Sequence, residues 1–294
     1  MKLYFSKRAC PRCGHNYDPI RGQCPSCGEA NSDRGAKAFA HQLPISYGKQ
    51  IAFFLLGYLG LQVLAVVIST IVGVGFVARN PGLGEDALKS ALEAYLRSGP
   101  GLFSIYGLAY PLLFLLVALL VWDGWKDVLR SFKNWRGVLM GGAIFIVIIA
   151  FSLLWNLAAN AIFARAGIPS VSNDNQLRLD AMIAYQPALC FIIFGLLGPF
   201  VEEAAYRVGL FGLASRLNKA AAYVIGILFF ALIHFNFGQL GSRNGLIIEL
   251  TNLPPYLFSG AVFCFAYDRF GFACSFTAHA LNNMLSVIFV LAER

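Results

Sequence analysis

The C-terminal half of this 294-residue chain is apolar, but ionisable side chains interrupt it as Glu202-Glu203-x-x-x-Arg207, with Tyr206 beside the arginine. On a helix, Glu203 and Arg207 lie one turn apart, in the order that favours an ion pair. Glu202 is rotated about 100° away, so Arg207 cannot easily neutralise both carboxylates. The pattern predicts a structural Glu203 and a Glu202 that is free for proton transfer; an ion cluster at a helix end is the alternative.

Two further patterns pair a histidine with a side chain one helical turn away. Phe230 precedes His234 by one turn, and His279 precedes Asn283 by one turn. A lone histidine in an apolar helix is usually a satisfied core residue. Two histidines together with an asparagine and a glutamate pair indicate a functional site, because ionisable groups are costly at the depth of a bilayer.

Sequence distance predicts that the first two patterns lie at one level in the membrane. Glu202 lies 16 residues before Asn218, and His234 lies 16 residues after it. If the chain turns at Asn218 into an antiparallel helix, each residue is roughly 24 Å from the turn. We therefore expect this glutamate and this histidine to be neighbours.

These residue types suit the activation of water. Neither histidine has an obvious serine or cysteine partner, so a covalent nucleophile is not indicated. Glu202 and His234 would take a proton from water. His279 and Asn283 would hydrogen-bond the developing oxyanion. The alternative is an active-site Zn²⁺ bound by Glu202, His234 and His279. We favour the metal-free interpretation, because a metal-bound water would need another base and the adjacent Glu203 is engaged.

Near the N-terminus, two Cys-x-x-Cys-Gly knuckles are separated by ten residues. Four thiolates in two close pairs suit tetrahedral Zn²⁺, and the glycine after each pair lets the backbone turn. A segment this short cannot build its own core, so the metal would supply its folding free energy. A pair of disulfides is the alternative, which a cytoplasmic position disfavours. The sequence predicts a structural zinc ribbon with the ligands Cys10, Cys13, Cys24 and Cys27.

Three further cysteines lie singly in apolar segments and are predicted to be packing residues: Cys190, Cys264 and Cys274.

The elements that position the candidate site are predicted to be transmembrane helices. The chain is 58% hydrophobic and 13% charged, with a mean hydropathy of +0.64. These values exclude an ordinary soluble enzyme, a disordered chain and a secreted disulfide scaffold. Seven apolar stretches approach the ~20 residues that cross a ~30 Å hydrocarbon core. They are residues 51–78, 101–122, 137–163, 181–201, 220–242, 250–267 and 270–292.

The fourth stretch is irregular, because apolar character extends from about residue 186 to 217. This length is too great for one straight crossing. We expect a kink or break near Gly198-Pro199, and an eighth helix if the two halves are separate.

The distribution of Lys and Arg predicts the orientation. Residues 1–50 carry eight Lys or Arg against three Asp or Glu, which predicts a cytoplasmic head. By the same rule the link 123–136 lies inside, and the links 79–100 and 164–180 lie outside. Residues 85–97 are predicted to form a short amphipathic helix at the outer surface. We expect no cleaved signal peptide and a location in a bacterial inner membrane.

The predicted fold class is an all-α polytopic membrane protein with about seven transmembrane helices, preceded by a small zinc-ribbon head. The predicted domains are the ribbon at 1–35, a linker at 36–50 and the transmembrane helical domain at 51–294.

The three patterns together resemble the CPBP family of intramembrane proteases, which includes type II CAAX prenyl endopeptidases and bacteriocin-processing or self-immunity proteins. The EExxxR, FxxxH and HxxxN motifs of that family occur here in order, at 202–207, 230–234 and 279–283. The resemblance covers about residues 100–294, and the ribbon is an addition to it. It implies a helical protease core in which the four site residues named above carry peptide hydrolysis, by glutamate-activated water or with a metal.

The predicted partners are the lipid bilayer and a membrane-associated protein or peptide substrate. A protein is the candidate partner of the ribbon, and nucleic acid is disfavoured because the basic charge follows the positive-inside rule. Two alternative functions are a non-catalytic immunity protein that sequesters a peptide and a proton-coupled transporter. The complete set of candidate residues argues against the first, and the lack of an internal repeat argues against the second.

Overall fold

The computed structural model describes residues 7–18, 20–31, 41–120, 122, 125–172 and 174–292. Parts of the predicted ribbon, of the linker 36–50 and of the link 123–136 lie outside these ranges. The described head contains two short strands, and nearly all of the rest is helical. The elements are β1 (Arg8–Ala9), β2 (Asn16–Tyr17), α1 (Tyr47–Arg79), α2 (Glu85–Arg97), α3 (Gly99–Leu120), α4 (Trp125–Lys133), α5 (Trp135–Ala166), α6 (Asp174–Tyr185), α7 (Pro187–Ser215), α8 (Lys219–Leu232), α9 (Arg243–Phe270) and α10 (Phe272–Ala292).

The predicted fold class is confirmed. Within the described ranges, six helices are long and apolar enough to cross a membrane: α1, α3, α5, α7, α9 and α10. The fifth predicted span, 220–242, is shorter than expected. Its helix α8 has 14 residues, or ~21 Å, and the chain then forms a 3₁₀ turn at Phe237–Gly241. The apolar pattern overestimated the length of this helix. Several residues after Leu232 are still apolar, but they lie in turns and in the 3₁₀ helix and not in the α-helix.

Of the kink or break expected near Gly198-Pro199, the break is absent, so α7 is one continuous helix and no eighth span arises from it. A π-helical turn at Ile193–Leu197 comes directly before the proline, and a second π-helical segment follows at Glu203–Phe211. Because proline has no N–H and its ring needs space, a widened turn before it lets the helix continue.

Helix α7 is the centre of the bundle. In its most apolar stretch 61% of the residues are buried, against 17–33% in the other five long helices. It supplies Cys190, Ile193 and Phe194 to one apolar cluster and Phe200 and Phe211 to another. The surrounding helices therefore shield its charged side chains from lipid. This is expected, because placing a charge in hydrocarbon costs free energy.

The first half of α1 packs closely on α7 because both helices carry small residues at the contact. A Cβ on Gly57 would lie 2.2 Å from the Cβ of Ala205, and one on Gly209 would lie 2.9 Å from the backbone nitrogen of Phe54. Gly57 is inside a π-helical turn of α1, Leu56–Gly60. Such small-residue contacts let helix backbones approach in membranes.

Two short helices lie beside the long ones. The helix predicted at 85–97 is present as α2, and it has no buried residue. The link 123–136, predicted only as a connection, contains the strongly amphipathic α4, in which Val128 is buried and Lys126 and Arg130 are exposed.

The head is attached to the end of α7 by Arg216, whose side chain is fully buried. Its guanidinium donates two hydrogen bonds to the carboxylate of Asp18 in the head, at 3.0 and 3.1 Å. It also donates to the side chain of Gln50 at 2.6 Å and to the carbonyl of Ile45 at 3.0 Å. This arginine therefore joins the head, the start of α1 and the end of α7.

Candidate active site

The π-helical segment Glu203–Phe211 of α7 carries the first pattern, and eight of its nine residues are buried. A π-helical segment spaces side chains more widely than an α-helix, and such segments are frequent at functional sites. The predicted ion pair forms, with 3.6 Å between Nε of Arg207 and Oε2 of Glu203. Tyr206 packs edge-on against Phe230, which brings the first two patterns into contact.

His279 of α10 lies between the two glutamates. Its Nδ1 is 2.9 Å from Oε1 of Glu203, and its Nε2 is 3.6 Å from Oε2 of Glu202. Glu203 is therefore engaged by His279 as well as by Arg207, which the sequence did not predict. The imidazole also stacks on Phe263 at 4.6 Å between ring centroids and meets the edge of Phe230 at 5.9 Å.

Arg207 is held mainly by rings and charge. Its Cζ lies 4.5 Å from the centroid of Phe230 and 5.4 Å from that of Phe263, which is cation–π geometry. Among the described residues, none of its three guanidinium nitrogens has a hydrogen-bond partner, and neither has Oε2 of Glu203. The arginine thus compensates the charge of Glu203 without fixing it by a direct hydrogen bond.

Glu202 is the carboxylate that solvent reaches, with its side chain 17% exposed against 0% for Glu203. The hydroxyl of Tyr110 in α3 donates to Oε1 of Glu202 at 3.3 Å. Glu202 also lies close enough to His234 for an electrostatic interaction. Tyr110 and His279 thus both face Glu202, which the sequence did not predict.

His234 lies in the turn that follows α8. Its backbone N–H bonds the carbonyl of Ala231, and its Nδ1 is 2.8 Å from the carbonyl oxygen of Phe230. The ring stacks on Tyr256 of α9, with 4.4 Å between centroids and 13° between planes. The ring of Phe230 also lies 5.0 Å from it, between centroids, so a backbone carbonyl and aromatic rings contribute to its orientation.

Asn283 of α10 faces the first π-helical turn of α7. Its Nδ2 donates to the carbonyl of Phe194 at 3.1 Å, and its Oδ1 accepts from Asn282 at 3.4 Å. A π-helical turn changes the internal hydrogen-bond pattern of the helix, so a side-chain donor can bond a carbonyl of that turn.

The partners of the two histidines determine which ring nitrogen carries the proton. A backbone carbonyl and an ionised carboxylate accept but do not donate, so Nδ1 of both His234 and His279 carries hydrogen. The lone pair of each neutral ring is therefore at Nε2. In His279 that nitrogen faces Glu202.

The four cysteines of the head form a compact group. Sγ of Cys10 lies 3.6 Å from that of Cys27, Sγ of Cys13 lies 3.7 Å from that of Cys24, and all four sulfurs are within 4.8 Å of one another. A tetrahedral ion with metal–sulfur bonds of about 2.3 Å places its sulfurs about 3.8 Å apart. The arrangement fits a metal site, and all seven cysteines, each within a described range, are free of disulfides.

The two knuckles have the same backbone conformation at their glycines. Gly14 and Gly28 both have a φ of +73°, and their N–H groups bond the carbonyls of Cys10 and Cys24. The pKa of Cys13 is lowered to about 7, because the backbone N–H of His15 and the neighbouring thiols stabilise its thiolate. The backbone N–H of Glu29 also favours the thiolate of Cys27, but desolvation and the other three sulfurs raise the pKa of Cys27 to about 12.

Elsewhere in the described chain, no other group of three or more His, Cys, Asp or Glu side chains is arranged to hold a metal ion. Glu202, His234 and His279 are neighbours, but their ligand atoms are not gathered as those of the cysteines are.

Three aromatic residues of the site were not predicted: Tyr110, Tyr256 and Phe263. Each belongs to a helix rich in apolar residues, where an aromatic side chain is ordinary. Tyr256 follows Pro254-Pro255, and a proline pair inside a long helix was the one available signal of a special position.

Comparison with known proteins gives two matches. Residues 184–285 match the family described as type II CAAX prenyl endopeptidase Rce1-like. This range includes all three patterns, from Glu202 to Asn283, so the resemblance inferred from the sequence is confirmed for this part of the chain.

The chain is also similar to the UPF0177 protein YvdC of Lactococcus lactis subsp. lactis (strain IL1403), with 33% identity over 147 residues. The match covers 49% of this chain and 52% of the relative, so the chain spans about half the length of the curated relative it matches. No solved structure matches the chain at a significant level.

Proposed function

We propose that this protein is an intramembrane endopeptidase that hydrolyses a peptide bond of a membrane-associated protein or peptide. The observation that carries the proposal is the position of His279, between a buried Glu203 and a solvent-accessible Glu202. A histidine oriented by one carboxylate and facing a second is suited to proton transfer. The match of residues 184–285 to a family of prenyl endopeptidases supports this reaction class.

In this mechanism Glu202 is the general base. It is the carboxylate with solvent access, and the hydroxyl of Tyr110 orients one of its oxygens. His234, with its lone pair at Nε2, assists by accepting or passing on the proton of the attacking water. The water attacks the carbonyl carbon of the scissile peptide, and the proton passes to the leaving nitrogen.

His279 and Asn283 are the proposed stabilisers of the oxyanion. Because Nδ1–H of His279 is used on Glu203, donation from Nε2 requires a doubly protonated ring. Glu203 compensates that charge, and Arg207 in turn compensates Glu203. Asn283 would contribute its amide after giving up or sharing its hydrogen bond to Phe194.

A metal-dependent version would use Nε2 of both histidines and one oxygen of Glu202. These atoms are not arranged as a metal group, so we propose the metal-free route and derive no step through a metal.

For the head we propose a structural Zn²⁺ bound by Cys10, Cys13, Cys24 and Cys27. The sulfur distances support this choice, and the ion would hold the two knuckles together. We further propose that the head is cytoplasmic in a bacterial inner membrane, in accord with its basic charge. Its contact with Arg216 favours a role in anchoring the N-terminus, with any protein partner binding its outer face.

The test compares the protein termini in membranes of cells that express either the wild-type chain or Glu202→Gln at equal levels. Glu93→Gln is the matched control, because Glu93 is an exposed carboxylate in α2. We expect termini that appear with wild type and Glu93→Gln and disappear with Glu202→Gln. The rate on a substrate identified this way should fall by about 10²–10⁴-fold, the usual contribution of a general base.

If all three termini maps are identical, including after co-expression of candidate membrane substrates, the protease proposal fails. Peptide sequestration or proton-coupled transport would then be the better interpretation. If Glu202→Gln retains hydrolysis but His234→Gln abolishes it, the reaction class survives and the role of Glu202 is wrong.

A further inference from the structure

The segment that carries His234 lacks the support of a regular helix. Helix α8 ends at Leu232, and residues 233–242 contain only turns and the 3₁₀ helix Phe237–Gly241. A side chain beyond a helix end is not positioned by the helical hydrogen-bond ladder. Contacts from other elements must therefore supplement the contact with the carbonyl of Phe230 in setting the position of the His234 ring.

Glu249 of α9 supplies one of these contacts. The residue is 2% exposed, and its Oε2 accepts the backbone N–H of Asn236 at 3.0 Å. This hydrogen bond fixes the backbone two residues after His234. Because the side chain of Glu249 is almost fully buried, water competes little for its acceptor oxygen.

The same face of α9 supplies a second contact two turns later, where Tyr256 stacks on the imidazole of His234.

Two residues at the start of α6 also contact this region. The side chain of Asn236 donates to Asp174, and that of Asn175 donates to the hydroxyl of Tyr256 at 3.4 Å. Elements α6 and α9 thus enclose the segment that carries His234 from two sides.

We propose that Glu249 is a positioning residue for His234, acting through the backbone of Asn236 and together with the ring of Tyr256. This inference rests on the proposed endopeptidase function and assigns a role to a buried carboxylate outside the three sequence patterns. Loss of the hydrogen bond lets the segment shift and moves Nε2 of His234 away from the attacking water. A displacement of about 1 Å at a reacting group can slow a reaction about 10²-fold.

The proposal distinguishes Glu249 from a proton-transferring acid. A positioning residue needs only an oxygen that accepts from Asn236, so Glu249→Gln retains its role. An acid or base needs a proton that can leave, so the same substitution abolishes its role. Glu249→Met fills a similar volume without an acceptor and removes the role in either case.

The experiment measures kcat and KM of the full-length protein in membranes, on a substrate identified by the termini mapping. The variants are Glu249→Met, Glu249→Gln and, as the matched control, Leu250→Ala, which alters an exposed side chain of the same helix. We expect kcat to fall about 10- to 100-fold in Glu249→Met with KM nearly unchanged. Glu249→Gln and Leu250→Ala should stay within about threefold of wild type, since a neutral acceptor or an outward-facing change preserves the contact.

A second pair of variants covers the case in which Glu249→Met fails to accumulate. Tyr256→Leu removes the stacked ring, and Tyr256→Phe retains it. We expect the same selective loss of kcat in Tyr256→Leu and near-normal kcat in Tyr256→Phe.

Equal kcat in wild type and Glu249→Met overturns the proposal, and so does a Glu249→Gln variant as inactive as Glu249→Met. In both cases Glu202→Gln, measured in parallel, shows whether the endopeptidase proposal still holds. If Glu202→Gln and His234→Gln are both fully active as well, the measured hydrolysis does not come from this site, and the failure belongs to the proposed function and not to the role of Glu249.

Discussion

Arg207 and Arg216 are nine residues apart along the chain and both are fully buried, but the protein holds them in opposite ways. Arg216 donates four hydrogen bonds, two of them to the carboxylate of Asp18. Arg207 lies 3.6 Å from Glu203, and its guanidinium nitrogens make no hydrogen bond to any described residue. The rings of Phe230 and Phe263 cover it instead.

In the proposed mechanism, the difference separates an attachment point from a site that must change its charge. A buried arginine whose three guanidinium nitrogens all donate hydrogen bonds is rigid, and it holds its partner carboxylate strongly. Arg207 and Glu203 share no direct hydrogen bond. The carboxylate of Glu203 can therefore adjust its position when His279 gains or loses a proton. Buried polar groups are almost always hydrogen-bonded, so Arg207 is an exception among the described residues, and the exception supports the functional role that we propose for its pair.

The largest effect that tests this comparison is expected for Glu203→Gln. The substitution removes the charge that orients and compensates His279, and it leaves Arg207 buried without a carboxylate. We expect hydrolysis to fall by at least about 10²-fold per folded molecule, since proton transfer by an oriented group contributes that much. The rate on an identified substrate, normalised to folded protein, measures this effect.

The same variant should also lose stability, because breaking a buried ion pair costs about 3–5 kcal/mol. A smaller loss than that of the Asp18 variant described next would show that the pair without direct hydrogen bonds contributes less to the fold than the hydrogen-bonded one. Hydrolysis within tenfold of wild type would contradict the functional role of Glu203.

A smaller effect, confined to stability, is expected for Asp18→Asn. The amide retains the shape of the carboxylate but loses the charge that Arg216 meets, while Gln50 and Ile45 still accept from the arginine. We expect the free energy of unfolding to fall by about 1.5–3 kcal/mol, the range for hydrogen bonds to charged groups. Thermal unfolding in detergent measures this change.

Hydrolysis by the folded fraction of Asp18→Asn should remain within about threefold of wild type, since the site's own hydrogen bonds are intact. Glu29→Gln, at a half-buried carboxylate in the head, is the matched control and should change neither quantity. Loss of hydrolysis at full stability would show that the head controls the site directly.

The smallest effect concerns the thiols of the head and has no consequence for hydrolysis in the intact protein. With a metal bound, all four cysteines should resist alkylation. After chelation, and while the head keeps this fold, Cys13 should react first, because its pKa is lowered to about 7 and its side chain is exposed. Its labelling rate should rise between pH 6 and pH 8, roughly one unit on either side of that pKa, as the thiolate forms.

Cys27 is the internal control for the labelling, since its raised pKa keeps it a thiol over the same pH interval. Mass spectrometry of the labelled peptides measures both rates. Equal labelling before and after chelation would contradict the proposed zinc site.

Much of the architecture follows from the sequence. The length of the apolar stretches predicts the long helices, since a bilayer accepts only backbones that satisfy their own hydrogen bonds. The two Cys-x-x-Cys-Gly knuckles predict the compact sulfur group because ligand spacing and glycine turns are local properties. The ion pair of Glu203 with Arg207 is equally local, being one helical turn long.

Other features were beyond the sequence because they depend on contacts between distant segments. The shortness of α8 and the continuity of α7 through Pro199 depend on turns and π-helical segments that apolar periodicity does not encode. Tyr110 reaches Glu202 from a helix about ninety residues away in the chain. No spacing rule connects the two.

The sequence alone was enough to choose the side chains that we propose for the chemistry, because three short motifs place carboxylates, imidazoles and an amide on apolar helices. The tertiary structure alone decided how they are divided: which carboxylate orients His279, which one solvent reaches, and which buried arginine is fully bonded. The reason is that helical periodicity sets the face on which a side chain lies, whereas only packing between helices sets the partner it meets.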